Sequence, residues 1–318
     1  MLLRIIHQTD LTYTEPISES VMELRVSPRQ EQDQHRLAFT LAIGPAANVN
    51  SYFDWVGNTV HTFSVNEFHK QIRIVATSVV ETERVRSDPQ KLPDTWPIEF
   101  DGDWSMLDYV NFAGPVVDSP LLDPLVQSLG AKRGTALGEI ALRMVQLIDT
   151  RFEYRRGITD SASPITDILK HGKGVCQDFT HLMIGLARKL AIPARYVSGL
   201  VHPDARKFRG YTQTHAWCEL FFPSTGWIGF DPTNRCVAGG NFVKVAVGRD
   251  YRDVPPNKGV YRGNADETID VQVKTEELKK IPPELAAERF QALTVPAWRG
   301  AHVSHGPRGA LHQDQQQQ

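Results

Sequence analysis

The sequence predicts an α+β fold in which an all-β N-terminal domain precedes a core made of one helix packed on an antiparallel sheet. Three observations predict it. Residues 1–86 alternate apolar and polar positions through six stretches and carry few helical signals. Within residues 176–190, Phe179, Leu182, Met183, Leu186, Ala187 and Leu190 repeat at the three-and-one spacing of a helix with one buried face. The runs that follow this helix read as strands joined by a tight turn, an order that suits α+β and not a βαβ repeat.

In chain order, strands are expected at 3–13, 20–26, 35–43, 51–55, 60–65 and 72–81, forming a β-sandwich-like domain over residues 1–86. Between the fourth and fifth, Gly57-Asn58 supplies the positive φ of a tight hairpin. This region has no nucleophile, base or ligand cluster, so a packing or substrate-gating role is expected of it. Residues 87–134, with Pro89, Pro93, Pro97, Pro115, Pro120 and Pro124, read as a linker with short helices. The core is expected over 135–281. It opens with a helix at 136–149, where Leu137, Ile140, Ala141, Met144, Val145 and Ile148 keep the helical rhythm, and continues through a short helix at 163–169 to the helix at 176–190. Strands are then expected at 192–200, 214–222, 226–231 and 266–273, the middle two forming a hairpin about Pro223-Ser224-Thr225. Residues 282–318, ending in four glutamines, read as a mobile C-terminal tail.

Composition narrows the function. With 41% hydrophobic and 23% charged residues among 318, the chain can build a sizeable core and belongs to no disordered class. Its net charge of −2 and lack of a long basic run give no footprint for nucleic acid or an anionic membrane surface, so a neutral or small polar substrate fits better. The apolar stretch at the start is too short for a signal peptide and no segment reaches the length of a membrane span, so a cytoplasmic location is expected. Three cysteines, few and odd in number, argue against a disulfide framework.

One of them is placed for chemistry. Lys170-His171-Gly172-Lys173-Gly174 cannot extend the helical pattern and carries two glycines, so the backbone turns just before Cys176 and leaves it at a helix N-terminus. Unpaired N–H groups and the positive end of the helix dipole favour a thiolate there. A buried cysteine acting as a small hydrophobe is the other reading. His215 begins the first strand of the expected hairpin and Asp231 ends the second, so the two can meet across the ladder. A thiol needs a base and later an acid, and one imidazole serves as both when an acceptor fixes its tautomer. Cys176, His215 and Asp231 fill these roles in order, although any single histidine can instead be structural. A zinc site from His215, Cys218, Cys236 and His202 is disfavoured, because residues three apart on a strand face opposite ways and there is no C-x-x-C pair, so no metal is expected. His181 lies about 140° round the helix axis from Cys176 and is expected to face solvent or to hydrogen-bond in the core, and Cys218 to pack inside the sheet.

Gly174-Val175-Cys176-Gln177-Asp178, Thr214-His215-Ala216-Trp217 and Phe230-Asp231-Pro232-Thr233-Asn234 resemble, in order and spacing, the Cys, His and Asp motifs of the transglutaminase-like superfamily. Ala194-Arg195-Tyr196-Val197-Ser198-Gly199 and the stretch 248–256 resemble further signatures of its bacterial branch, and residues 7–28 resemble that branch's N-terminal β domain. The resemblance covers about residues 1–275. It implies a papain-like core, a Cys176-His215-Asp231 triad and passage through a thioester, in a superfamily that includes Gln–Lys crosslinking acyltransferases, peptidases and amidases. Animal members carry a tryptophan upstream of the cysteine that supports the oxyanion; residues 137–175 here have none, and Tyr154 with Gln177 are the stand-ins considered. There is no D-x-D-x-D-G pattern to suggest calcium activation, and no cofactor is expected. The expected activity is hydrolysis of a peptide or protein amide. Acyl transfer to an amine and a non-catalytic scaffold are the alternatives, and oligomeric state is left open.

Overall fold

The computed structural model describes residues 1–83, 88–99, 104–203, 209, 213–281, 283, 289–293 and 310–314. Six strands open the chain: β1 (Leu2–Ile17), β2 (Glu19–Leu24), β3 (Gln34–Gly44), β4 (Asn50–Phe53), β5 (Thr59–Val65) and β6 (His69–Thr82). In β1 the alternation is regular, with Leu3, Ile5, His7, Thr9, Leu11 and Tyr13 buried and the residues between them partly exposed. The hairpin between β4 and β5 turns at Gly57, whose φ of +79° is the left-handed value that glycine adopts without a Cβ penalty.

The core contributes α3 (Leu137–Arg151), β7 (Glu153–Tyr154), α4 (Ile165–His171), β8 (Lys173–Gly174), α5 (Cys176–Lys189), β9 (Ala194–Val201), β10 (His215–Phe222), β11 (Gly226–Asp231), β12 (Cys236–Val237) and β13 (Phe242–Gly248). Before it, the proline-rich stretch forms 3₁₀ turns and two short helices, α1 (Leu107–Val110) and α2 (Asp123–Ser128). Strands β12-β11-β10-β9-β13 form one antiparallel sheet, and Ala216, Cys218, Leu220 and Phe222 of β10 share a core with Phe179, Leu182, Met183 and Leu186 of α5.

The helix departs from expectation in one respect. Thirteen of its fourteen residues are buried, although its apolar residues follow a one-sided pattern. The polar residues are enclosed because each has an internal partner. Arg188 donates to the carbonyls of Tyr109 and Arg249, His181 accepts the Tyr251 N–H at 3.1 Å, and Gln177 donates to the Ser161 carbonyl at 3.0 Å. Buried polar groups are tolerated when bonded in this way.

The end of the chain also differs. Residues 257–277, expected inside the 135–281 core, return to the N-terminal sheets as β14 (Asn257–Arg262) and β15 (Glu267–Glu277). β15 runs antiparallel to β1 from Tyr13↔Glu267 to Leu3↔Glu277, and β14 pairs with β2. Within the expected mobile tail, β16 (Arg289–Ala292) lies parallel to β3 and β17 (Ala310–Asp314) pairs with β14; the rest of that tail lies outside the described residues. The physical reason is the same for all four: each covers an edge of N–H and C=O groups that would otherwise be open. The sheets β15-β1-β6-β3-β16 and β17-β14-β2-β5-β4 enclose a core of Leu11, Tyr13, Phe39, Leu41, Phe63 and Ile74, among others. At the other end of the long strands, Leu3, Ile5 and Val80 pack on Leu200, Val243 and Val245 of the core sheet. No helix among the described residues is long and apolar enough to cross a membrane.

β13 is the outer strand of the core sheet, and the N-terminal domain seals its edge. The Gln34 side-chain amide donates to the Lys244 carbonyl and accepts its N–H, both at 2.8 Å, and the Asn58 amide does the same at Val247, both at 2.8 Å. Two side chains thus stand where a further strand would. On the far edge of β9, Gly199 pairs with His215 and lies under the Trp217 indole. A Cβ there would come within 2.3 Å of the indole and 2.4 Å of the Val243 carbonyl. Gly199→Ala is therefore expected to destabilise the fold by about 2–3 kcal/mol through overpacking beneath His215, read as a lower urea midpoint with unchanged m-value; an unchanged midpoint would show that the indole moves aside freely.

Candidate active site

Gly172 ends α4 with φ +66°, and β8 then runs beside β7, with Gly174 opposite Tyr154. Val175 is extended and is the N-cap of α5, so Cys176 is the first helical residue, as the sequence predicts. The Asp178 carboxylate fixes this start, accepting the Val175 N–H at 2.8 Å and the Thr159 hydroxyl at 2.6 Å. Its pKa is raised, chiefly by burial. Gly174 allows the approach, since a Cβ there would meet the carboxylate at 2.8 Å. An acid three residues after a helix N-cap is a capping signal that the sequence reading passed over.

His215 and Asp231 meet as the hairpin predicts. β10 and β11 register Cys218 against Phe230, which carries Asp231 back alongside the first residues of β10. The His215 Nε2 lies 2.7 Å from the Asp231 Oδ2, and both side chains are fully buried. The other oxygen of Asp231 accepts the N–H groups of Thr233 at 2.9 Å and Asn234 at 3.1 Å. Asn234, which the sequence reading left without a role, donates its amide to Asp231 Oδ2 at 2.7 Å and lies 3.3 Å from His215 Nε2. Its position three residues after the acid in a tight turn was the available signal.

The second imidazole nitrogen, Nδ1, is buried and turned away from Asp231. It makes no hydrogen bond among the described residues, while Cys176 acts electrostatically on the same ring. Burial disfavours a charged imidazole, but the Asp231 carboxylate outweighs it and, with Cys176, raises the His215 pKa to about 10. At neutral pH the ring is therefore held as a cation beside the Asp231 carboxylate. Cys176 itself is 1% exposed.

Tyr154 also lies at the thiol. Its ring packs edge-on against Phe179 at 6.1 Å, and burial and then Cys176 raise its phenol to about 12, so it is neutral at physiological pH. Gln177 is adjacent in sequence, but its amide N–H₂ is committed to Ser161. His181 is 1% exposed, so of the two readings offered for it the solvent-facing one fails. Burial lowers its pKa to about 4, which keeps the ring neutral and able to accept the Tyr251 N–H. Cys218 lies in the core against α5, where burial pushes its thiol pKa up, and His202 bonds Thr275 at 2.8 Å.

A cysteine at the mouth of a buried helix and an imidazole held by a carboxylate on the neighbouring antiparallel sheet give this α+β fold the groups that nucleophilic cysteine chemistry needs. Residues 124–232 match the family described as the transglutaminase-like superfamily, and residues 3–81 match its bacterial transglutaminase-like N-terminal region. The Mycobacterium leprae protein ML0607 is 30% identical over 287 residues, covering 86% of this chain and 97% of that protein. Rv2569c of Mycobacterium tuberculosis is 30% identical over 289 residues, covering 85% and 91%. Among solved structures, a candidate cysteine protease from Cytophaga hutchinsonii superposes with a TM-score of 0.71 at 25% identity, over 89% of this chain and 93% of that one. The chain belongs to the transglutaminase-like superfamily.

The charge on His215 makes stability depend on pH. A pKa of about 10 in the fold, against 6.5 unperturbed, means the folded state keeps a proton that the unfolded chain releases. The stabilisation is complete below pH 6.5 and lost as pH rises through about 10. Asp231→Asn removes its cause. The difference in unfolding free energy between wild type and this variant is expected to shrink steadily as pH is raised from neutral towards 10, measured by urea titration; a gap that stays constant would mean His215 is neutral in the fold.

Proposed function

We propose that the protein is a cysteine-dependent enzyme that breaks amide or peptide bonds through a thioester, with Cys176 as nucleophile, His215 as general acid and base, and Asp231 as orienter. The observation that carries this reading is the buried His215–Asp231 pair at 2.7 Å, on whose imidazole Cys176, the first residue of α5, also acts. His215 holds the proton that leaves Cys176, and the sulfur attacks the substrate carbonyl carbon. The oxygen becomes an anion facing the first turn of α5, whose N–H groups have no intrahelical acceptors. Tyr154, whose phenol is neutral and interacts with Cys176, is the hydroxyl we assign to it. His215 passes its proton to the leaving nitrogen as the C–N bond breaks, leaving a thioester and a neutral imidazole. The imidazole next takes a proton from water, the hydroxide attacks the thioester, and the acid leaves as the thiol reforms. Three free cysteines favour a reducing, cytoplasmic setting for this chemistry.

The near-complete burial of Cys176 favours a second reading, acyl transfer to an amine. Transfer succeeds only when water, at about 55 M, is kept from the thioester while an amine is held with high effective molarity. In the stretch 248–259, which could wall such a cleft, the charges can either keep the rim hydrated or close it by pairing internally. Arg249 pairs with Asp253 and Arg252 with Asp250, and Tyr251 sits against His181, further along α5.

Incubation with a peptide amide library is expected to leave an acyl mass on Cys176 that Cys176→Ala abolishes. Asp231→Asn is expected to slow its formation by about 10²–10⁴, because the ring loses the acceptor that fixes its orientation. A fully active Asp231→Asn variant would remove that residue from the mechanism. A partition experiment separates the two readings: with increasing primary amine, free acid is expected to remain the main product, and diversion of most product to amide by low-millimolar amine would make the protein a transferase.

A further inference from the structure

β7 runs beside the strand that leads into Cys176, with Tyr154 opposite Gly174 and the Arg155 N–H bonded to the Gly174 carbonyl at 2.9 Å. Two arginines gather at this corner. The Arg209 guanidinium lies 4.8 Å over the Tyr154 ring, and Arg156, whose charge also acts on the Tyr154 phenol, reaches the Gln213 side-chain oxygen at 3.4 Å. Both are exposed, and neither pairs with a carboxylate among the described residues. The acids nearby are committed elsewhere. Glu153 pairs with Lys173 at 3.0 Å, Asp149 with Arg235 at 3.3 Å, and Asp160 accepts from Ala162 and Ser163 at 2.9 Å. Such a concentration is conspicuous on a chain whose net charge is −2.

Arg209 is also tied to the candidate catalytic pair. Its N–H donates to the Asn234 Oδ1 at 2.8 Å, and the amide of the same Asn234 holds Asp231 Oδ2 at 2.7 Å. A group binding the guanidinium is therefore placed over Tyr154, on a residue whose backbone is linked through Asn234 to the His215–Asp231 pair.

We propose that Arg156 and Arg209 form a subsite for a carboxylate of the acyl substrate, so that the preferred substrate is an acidic peptide whose carboxylate lies within a few residues of the scissile amide. This rests on the thioester reading above and adds the substrate class. Planar guanidiniums accept a carboxylate in a bidentate fork, and uncompensated cations at a cleft mouth raise the encounter rate with anions. A carboxylate can come from a Glu or Asp side chain or from a free C-terminus, and the geometry serves both.

The test uses the full chain and thiol-directed peptides in matched pairs. One pair is acetyl-Glu-Ala-Ala and acetyl-Gln-Ala-Ala chloromethyl ketones; the other is chloroacetyl-Ala-Ala with a free or an amidated C-terminus. Alkylation of Cys176 is followed by mass spectrometry at low and high salt. In at least one pair the anionic probe is expected to react about tenfold faster at low salt, in line with a few exposed ion pairs, and the pair that discriminates identifies the source of the carboxylate. The ratio should fall towards one in Arg156→Gln, in Arg209→Gln and in high salt. Ratios near one in both pairs, with Cys176 labelled, overturn the subsite and leave the thioester reading standing. A ratio that persists in the Arg156→Gln, Arg209→Gln double variant overturns it likewise. Labelling of Cys236 alone by all four probes overturns the subsite and the thioester reading together.

Discussion

The complete enclosure of α5 is the constraint on which the rest of the molecule depends. A helix buried on nearly every side needs internal partners for its polar side chains, and it is this requirement that brings distant segments to it. Arg188 draws in the carbonyls of Tyr109 and Arg249, His181 takes the N–H of Tyr251, and Asp178 holds Val175 and Thr159. The N-terminus of the helix is the one end where backbone donors remain for a ligand, and Cys176 stands there. The enclosing interactions and the candidate site are thus products of the same packing problem.

The charged imidazole follows from a second balance. Full burial alone would strip His215 of its proton; a single carboxylate, itself gripped by Thr233, Asn234 and the ring, reverses the outcome. Asn234 serves both sides of this arrangement, steadying the acid while its carbonyl oxygen holds the backbone of Arg209. Contacts at the rim are therefore mechanically joined to the pair in the interior.

The N-terminal domain has a structural part in this. Its long strands extend past their own sandwich, so that Leu3, Ile5 and Val80 pack on β9 and β13, and its Gln34 and Asn58 amides complete the hydrogen bonding of the β13 edge. β9 lies between β13 and β10, the strand that begins with His215. The sheet that orients the imidazole is in this way braced from the side opposite Asp231.

The sequence by itself determined whatever is periodic or local. Alternation placed β1 to β6, the three-and-one rhythm placed α3 and α5, and the turn residues Pro223-Ser224-Thr225 joined β10 to β11, so that His215 and Asp231 could be paired before any coordinates. Cys176 was placed at a helix mouth by its glycine-rich approach. The tertiary structure decided what depends on partners distant in the chain. Period two marks residues 266–273 as a strand but carries no information that its partner is β1, because a ladder is specified by complementary edges and not by the strand's own alternation. In the same way, an amphipathic helix announces one buried face; that α5 buries its polar face too is set by segments such as Tyr109 and Tyr251, whose approach no local pattern encodes.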